Sequence, residues 1–372
     1  MKQKAKGKRQ KAKSLTRAFF LKPWILLFAS CGAPPEFQTV QESRILMDTV
    51  VSINVYAAKP ANEPAIRRTM TAAFTEMSRL DSLFSAYRND SETARLNHNA
   101  AAGAAISSDM DSVLQTAQWA AQISNGAFDI TVAPILQLWG FGTDSLGIPA
   151  PEKITARLAR VNHENLVMTY DAIKQKRIVT FRRPEMAIDL GGVAKGYVVD
   201  RGLAMLQQAG IRDAMITAGG DLRTLTSPLT ARRRYIWIQH PRPLNPDSAA
   251  QSFWGRFKLE GNAAVSTSGD YERFFIHANK RYHHIMDPHT GYPGERAISV
   301  TVIAATSVQA DALSTTLFVL GPVRGLALAD SLPQIEALVI YHDDGRLNWK
   351  ATAGLAAIIE ILKPSMRDSI WR

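Results

Sequence analysis

The chain has 372 residues, with 44 lysines and arginines against 33 aspartates and glutamates, a formal net charge of +11 and 46% hydrophobic residues. This composition is typical of a globular protein and excludes a low-complexity chain. The single cysteine excludes a disulfide framework, and no CxxC pair or cysteine/histidine cluster could bind structural zinc. The length allows one large domain or two closely packed ones.

Most of the positive charge lies in residues 1–30, which contain nine lysines and arginines and no acidic residue, leaving +2 on the rest of the chain. Phosphate binding along nucleic acid needs a basic surface on the folded part of a protein. The nearly neutral body therefore argues against nucleic acid as the partner.

The basic segment precedes a short apolar run that begins at Pro23 and ends in the small residues Ala29 and Ser30, followed by Cys31. Basic, apolar and small residues in this order are typical of an export signal. Residues 28–31 also resemble a bacterial lipobox, although Phe28 stands where leucine is usual. The resemblance implies that Cys31 is the lipidation site, and it explains why the only cysteine lies here. The alternatives are an uncleaved signal anchor and a basic arm on a cytoplasmic protein.

These features predict a signal peptide over residues 1–30, a linker over 31–43, and an exported protein that faces the periplasm and is anchored to a membrane by lipid. The choice between inner and outer membrane stays open. The apolar run is too short to span a bilayer as a helix, which needs about 20 residues. No later segment is expected to span one, and we expect a soluble body.

Periodicity predicts the elements of this body in chain order. A strand at 50–56 precedes an amphipathic helix over 65–84 and a second helix from about Ser107 to Ile123. A buried strand is expected at Ile188, running into residues 189–192. The later predictions are strands at 215–217, 235–238, 264–266, 299–303 and 337–341, and helices over 195–209 and 310–319. Because strands and helices do not alternate regularly, we predict an α+β fold.

Five stretches concentrate glycine, aspartate, histidine and threonine in ways that a core does not require. In the first, residues 125–142, Asp129 stands beside Phe128 in a glycine-bounded turn. An acid there can hydrogen-bond a heterocycle that the ring covers, although a helix end and loop explain the same residues. Another stretch, Gly219-Gly220-Asp221, is read as a tight turn with either a structural or a supporting role.

Residues 189–200 place Asp189, Gly191 and Gly192 before a predicted helix that carries Lys195. Paired glycines let a ligand approach the backbone, and helix-start amides and a lysine favour phosphate. The spacing fits neither a Walker loop nor GxGxxG. A strand-to-helix turn with a solvated lysine is the structural alternative.

Hydroxyl and histidine residues follow in residues 266–273 and 283–291. The hydroxyls can hold phosphate oxygens, and a histidine near a carboxylate can act as a base. The histidine spacing does not match a zincin, so a histidine metal site is disfavoured. In the last stretch, Asp311 and Thr315 share one helix face one turn apart. Such oxygens suit Mg²⁺, although Asp311 could also be only a helix cap.

Together and in this order, these stretches resemble the ApbE family of FAD:protein FMN transferases, also called flavin-trafficking lipoproteins. The resemblance covers residues 44–345 and leaves 346–372 as a C-terminal extension. It includes further motifs at Met47, Ser85-Ala86-Tyr87, Asp90-Ser91 and Arg95-Leu96-Asn97. It implies a T-fold-related structure of largely antiparallel sheets with flanking helices, in two intimately packed subdomains.

The resemblance also implies an activity: Mg²⁺-dependent transfer of FMN from FAD to a threonine or serine hydroxyl of an acceptor flavoprotein, with release of AMP. The acceptors would be flavin subunits of redox complexes or FMN-binding domains. The residues that would contact FAD are Met47, Tyr87, Ala127, Phe128, Asp129, Asp189, Lys195 and Ile285.

By the same resemblance, Mg²⁺ would be held by Asp311, Thr315 and the backbone carbonyl of Gly192. Only the carbonyl is carried over at position 192, because family members have other residues there. His284 matches a histidine implicated in catalysis. We take His284 as the base and Asp287 as its possible partner, while Asp270 or Asp287 could serve as the base instead. A Mg²⁺-dependent FAD pyrophosphatase and a non-catalytic FAD-binding lipoprotein are the alternative functions.

Overall fold

The computed structural model describes residues 36–99, 102–143, 145–173, 175–227, 234–243 and 252–362. The predicted signal peptide and the lipobox with Cys31 lie outside this part of the chain. The helices are α1 (Glu63–Phe84), α2 (Glu92–Asn99), α3 (Ser108–Ile123), α4 (Ala133–Leu138), α5 (Pro151–Leu158), α6 (Ala194–Gln208), α7 (Ser307–Ser331) and α8 (Ala353–Ile358).

The described residues also contain sixteen strands, which are distributed along the chain between Phe37 and Ile361. They are β1 (Phe37–Leu46), β2 (Thr49–Ala58), β3 (Ala104–Ala105), β4 (Leu166–Asp171), β5 (Lys176–Phe181), β6 (Ala214–Ala218), β7 (Asp221–Leu225), β8 (Tyr235–Gln239), β9 (Phe253–Lys258), β10 (Ala264–Gly269), β11 (Phe274–His277), β12 (Lys280–His283), β13 (Ser299–Ala304), β14 (Glu336–Asp343), β15 (Arg346–Ala351) and β16 (Ile359–Ile361).

An eight-stranded sheet in the order β1-β2-β6-β7-β10-β13-β14-β15 forms the centre of the fold. Every neighbouring pair in it is antiparallel. Smaller sheets have the orders β16-β9-β8, β3-β5-β4 and β11-β12. The α+β prediction with largely antiparallel sheets is confirmed.

Both faces of the central sheet are covered at strand β14. On β14, Ala337 and Val339 pack with the buried residues of α7, whereas Leu338 and Ile340 pack with the small sheet of β8, β9 and β16. This alternation follows from the two-residue period of a strand. The helices α1 and α6 cover the half of the sheet that contains β2 and β6, and α6 also contacts α7. The site described below lies between the half of the sheet that α1 and α6 cover and the half that α7 covers.

Helices α1 and α3 begin where the sequence places capping residues. The Asn62 side chain accepts a hydrogen bond from the Ala65 amide at the start of α1, and Ser107 accepts one from Met110 at the start of α3. Each bond satisfies an amide that has no partner within the helix. The predicted helix over 65–84 is thereby confirmed within two residues at its start, and α3 begins at the predicted cap.

Helix α7 is longer than the predicted 310–319 and is interrupted at Gly321, whose φ is +76°, just before Pro322. By length and composition alone α7 could cross a membrane, so the expectation that no later segment is apolar enough was wrong. About two-thirds of its most apolar window is buried inside the fold. This burial is typical of the core helix of a globular domain.

The predicted buried strand at Ile188 is wrong. Residues 186–190 belong to no strand, because the Asn97 side chain from α2 hydrogen-bonds both the amide and the carbonyl of Ile188. Two other segments join sheets at their ends. Strand β1 begins at Phe37, within the expected linker, and β15 extends β14 within the expected C-terminal extension.

Candidate active site

A cavity of about 550 Å³ opens between the β1–β2 turn, α4, the loop before α6, the loop after β12 and the start of α7. Its volume lies within the usual range for small-molecule sites. Among the described residues, every residue predicted to bind FAD or Mg²⁺ lines it, as does His284, whereas Asp287 does not. A wider depression of about 1250 Å³ beside α2 and β5 contains none of the predicted site residues.

Lys195 and two aspartates form a charged cluster where α6, α7 and β7 meet, in which the aspartates are buried and the lysine side chain is 32% exposed. The Lys195 ammonium lies 3.1 Å from Oδ2 of Asp221 and 3.5 Å from Oδ1 of Asp311. Burial disfavours the ammonium, but both carboxylates outweigh it and raise the pKa of Lys195. Burial and the Asp221 carboxylate raise the pKa of Asp311. The lysine is therefore charged, while Asp311 is only partly compensated and would gain from a further cation.

The oxygen atoms predicted to hold Mg²⁺ come together at this cluster. Asp311 and Thr315 are one turn apart on α7, as their spacing predicted. A Cβ atom on Gly192 would lie 3.2 Å from the Thr315 hydroxyl, so the glycine brings its backbone close to that oxygen. A carboxylate, a hydroxyl and a carbonyl are hard oxygen donors, and these residues fit Mg²⁺.

The loop before α6 is held by its own hydrogen bonds. Oδ1 of Asp189 accepts one from the Gly191 amide at 2.8 Å, and the amides of Val193 and Ala194 donate to the Leu190 carbonyl. The Gly196 amide donates to Asp311 Oδ2 at 2.9 Å. These amides are therefore occupied, which leaves Lys195 as the main group in this loop for binding phosphate.

Gly196 allows helices α6 and α7 to approach each other closely. A Cβ atom there would lie 2.3 Å from the Ser307 carbonyl oxygen. Asp200, further along α6, accepts hydrogen bonds from the amides of Ser307 and Val308 at the start of α7. The loop that carries Lys195 and the helix that carries Asp311 are thereby fixed to each other.

His284 lies in another part of the cavity wall, where its ring meets Phe141 edge to face. Its Nδ1 is 3.2 Å from the carbonyl oxygen of Arg273, which also accepts from the His284 amide at 3.1 Å. A carbonyl only accepts, so Nδ1 carries the proton and Nε2 keeps a free lone pair. Burial, followed by the nearby Arg273, lowers the pKa of His284 to about 3. The ring is neutral near pH 7 and can accept a proton.

The prediction that Asp287 is the partner of His284 is wrong. Oδ1 of Asp287 accepts a hydrogen bond from the His289 amide at 2.9 Å, and Oδ2 lies 3.4 Å from Arg296. The Asp287 carbonyl closes the turn by accepting from the amides of Thr290 and Gly291. The carboxylate therefore stabilises the 287–291 turn.

Asp270 is also committed elsewhere, since it forms a close ion pair with Arg242. The neighbouring His283 is buried and bonds to the Gly294 carbonyl, and burial lowers its pKa to about 4. The histidines 283, 284 and 289 thus have different partners, although they are close in sequence.

The predicted flavin contacts form the remaining wall of the cavity. Met47 is in the β1–β2 turn, where its φ is +53° and its amide donates to Asp81 at 3.0 Å. Tyr87 is 56% exposed and leaves its ring available to a ligand. Asp129 is buried, and its carboxylate accepts from the amides of Thr131 and His163. Its predicted contact with the flavin or adenine would compete with these bonds.

Sequence reasoning left the role of Asp221 open between structural and supporting, and it assigned no role to Arg273. Asp221 was assigned to a turn, yet it is the nearer carboxylate to Lys195. The double glycine before it was the available signal, because a Cβ on Gly220 would lie 2.5 Å from the Thr267 carbonyl and the strands must approach closely. Arg273 lines the cavity together with Tyr87, and no local pattern marks it.

An α+β scaffold with oxygen donors for a cation, a charged lysine and a neutral imidazole in one cavity matches what phosphoryl-transfer enzymes need. The family model described as the ApbE family matches residues 47–339. The chain belongs to the ApbE family.

Relatives and solved structures agree with this assignment. The chain is 34% identical to the FAD:protein FMN transferase of Haemophilus influenzae, over 72% of this chain and 77% of that one. It is 33% identical to the Vibrio cholerae protein of the same name, over 86% and 92%. The solved flavin transferase ApbE from Vibrio cholerae superposes with a TM-score of 0.73 at 29% identity, covering 87% of this chain and 100% of that chain.

Proposed function

We propose that this chain transfers FMN from FAD to a threonine or serine hydroxyl of an acceptor flavoprotein, with Mg²⁺ and with release of AMP. Curated relatives at 33–34% identity bear the name FAD:protein FMN transferase, which supports FMN transfer. The observation that carries the proposal for this chain is the convergence of Asp311, Thr315, Lys195 and His284 on one cavity.

The cluster at Lys195 is suited to the pyrophosphate of FAD. The ammonium supplies a fixed positive charge, and Arg273 lines the same cavity. Asp311, Thr315 and the Gly192 carbonyl would hold Mg²⁺, which neutralises charge that develops on the phosphate oxygens during transfer. Met47, Tyr87 and Phe128 provide apolar and aromatic surface for the rings of FAD.

His284 is placed to take the proton of the acceptor hydroxyl. The hydroxyl oxygen forms a bond to the phosphorus of the FMN half, the bond from that phosphorus to the bridging oxygen breaks, and AMP leaves with the bridging oxygen. The hydroxyl proton moves to Nε2, while Nδ1 stays bonded to the Arg273 carbonyl. A pyrophosphate nearby raises the pKa of the imidazole towards the range of an effective base.

The acceptor would be a flavin subunit of a redox complex or an FMN-binding domain. The N-terminal segment is consistent with an exported, periplasm-facing lipoprotein anchored through Cys31. Both statements belong to the proposal, and labelling of Cys31 with a lipid precursor in cells tests the second.

The test of the activity uses the full chain in detergent with FAD, Mg²⁺ and a purified FMN-acceptor domain. We expect the acceptor to gain the mass of one FMN and AMP to appear, both only with Mg²⁺. Asp311→Asn should lose the reaction, and Asp330→Asn, an exposed aspartate on the same helix, should keep it. AMP and free FMN with an unlabelled acceptor would instead establish a pyrophosphatase, and intact bound FAD a binding protein.

A further inference from the structure

Asp221 is the most enclosed charge near the site. Only 1% of the residue is exposed, and it begins β7 directly after the Gly219-Gly220 turn. Its Oδ1 accepts a short hydrogen bond from the Ser266 hydroxyl on the paired strand β10. Its Oδ2 accepts no well-formed hydrogen bond in the described part of the chain and is balanced by the Lys195 ammonium at 3.1 Å. A buried carboxylate is costly unless it is paired with a positive charge and hydrogen-bonded.

We propose that Asp221 is a positioning residue that keeps Asp311 and Thr315 ready to bind a divalent cation. It holds Lys195 through one oxygen and the hydroxyls that lead to Thr315 through the other. The inference rests on the proposed function, since it concerns the cation that the function needs, and it adds a residue that touches neither cation nor substrate.

The first part of the argument is charge. Asp221 and Asp311 share one ammonium, and Lys195 is nearer to Asp221, at 3.1 Å against 3.5 Å. With both carboxylates ionised, the trio carries one net negative charge. If Asp221 loses its charge, Lys195 neutralises Asp311, and a cation must then compete with a partly buried ion pair. Asp221 therefore keeps a negative charge at Asp311 for the cation.

The second part is a chain of hydroxyls. Ser266 Oγ is 3.2 Å from Ser314 Oγ, which is 2.8 Å from Ser268 Oγ, which is 3.3 Å from Thr315 Oγ1. An ionised carboxylate only accepts, so Ser266 must donate to Asp221. Ser314 donates either to Ser266 or to the Asp311 carbonyl, 2.9 Å away.

Either choice for Ser314 leaves its oxygen to accept from Ser268, and Ser268 in turn accepts from Thr315. When Ser314 donates to Ser266, each hydroxyl hydrogen points towards Asp221; when it donates to the Asp311 carbonyl, the hydrogens of Ser268 and Thr315 lead to that carbonyl instead. In both cases the lone pairs of Thr315 stay free for a cation. Removal of a residue that hydrogen-bonds to a metal ligand typically lowers the metal affinity by about 10- to 100-fold.

The test measures cation binding directly. Mn²⁺ stands in for Mg²⁺, and the six-line EPR signal of free Mn²⁺ is followed while the full chain in detergent is titrated in the presence of FAD. We expect Asp221→Asn to raise the Mn²⁺ dissociation constant about 10- to 100-fold. Ser266→Ala, which keeps the Asp221–Lys195 pair, should raise it less.

Asp213→Asn is the matched control, because Asp213 is also a buried aspartate, paired with Arg234 at 2.9 Å at the far end of the β6–β7 hairpin. It should keep the wild-type Mn²⁺ affinity, which separates a positioning role from a general loss of a buried charge. Wild-type affinity in Asp221→Asn overturns the inference. If that variant does not fold, wild-type affinity in Ser266→Ala overturns it.

The inference and the proposed function fail in different ways. A wild-type chain that binds Mn²⁺ and FAD but labels no acceptor contradicts the proposed function alone, and the variant affinities still decide the role of Asp221. A wild-type chain that binds no Mn²⁺ contradicts both.

Discussion

Two parts of the cavity wall handle charge in opposite ways. At the Lys195 cluster, two buried carboxylates lie beside a partly buried lysine, and the pKa of both Lys195 and Asp311 is raised. At the His284 loop, burial keeps the imidazoles of His283 and His284 neutral, and carbonyl groups are their partners. The first wall suits phosphate and a cation, and the second suits a proton in transit. One cavity thus separates the binding of charge from the movement of a proton.

The largest effect should come from the charged wall. Asp311→Asn keeps the shape of the side chain but removes the ionised oxygen, so acceptor labelling should fall by roughly 10²- to 10⁴-fold, the equivalent of several kcal/mol of cation stabilisation. Mass spectrometry of the acceptor over time measures the rate. A variant that labels within a few-fold of wild type would show that this wall does not hold the cation.

A substitution in the part of the cavity wall that contains His284 should slow acceptor labelling without weakening FAD binding. His284→Gln removes the free Nε2 lone pair, and we expect labelling to fall by about 10²- to 10⁴-fold. The affinity for FAD, measured by quenching of flavin fluorescence, should stay close to that of wild type. His289→Gln alters a neighbouring histidine outside the cavity and serves as the control. Equal losses of FAD affinity and of rate would contradict the division between the walls.

The neutral state of His283 should appear in the pH dependence of stability. Its pKa in the fold, about 4, lies below its ordinary value of 6.5, so the unfolded chain binds the proton first. The stabilisation is complete above pH 6.5 and is lost as the pH falls towards 4, by about 3 kcal/mol. His283→Gln should flatten the slope of unfolding free energy against pH in this window. Replacement of the exposed His277 by Gln should leave the slope as it is, and equal slopes in both variants would refute the assignment.

Asp287→Asn should have the smallest effect on the reaction. Because the carboxylate holds the 287–291 turn and lies outside the cavity, we expect a loss of about 1–3 kcal/mol in unfolding free energy. Labelling per folded molecule should change only a few-fold. A loss as large as that of His284→Gln, in a protein with unchanged stability, would restore Asp287 as the partner of the base.

The sequence predicted the part of the cavity wall around Lys195 better than the part around His284, because helical spacing brings the residues of the first part together. Asp311 and Thr315 share a helix face by spacing alone, and Lys195 follows a glycine pair at a helix start. Local periodicity therefore determines much of that wall. The main helices and five of the eight strands of the central sheet were found in the same way, whereas β1, β7 and β15 were not predicted.

The missed features depend on contacts between distant segments. Ile188 is not in a strand because Asn97, 91 positions earlier, binds its backbone. Asp221 meets Lys195 through the pairing of β7 and the placement of α6, and Asp287 contacts the His289 amide and Arg296 instead of His284. Residue spacing along the chain does not predict such contacts between distant segments.

The bond from His284 to the Arg273 carbonyl has a consequence for how such a site can evolve. A backbone carbonyl is present whichever side chain stands at that position, so the tautomer of the imidazole is inherited with the path of the main chain. The side chain of Arg273, which lines the cavity, can then change with the molecules that the site accepts. One residue can thus preserve the chemistry through its backbone while its side chain adapts the specificity.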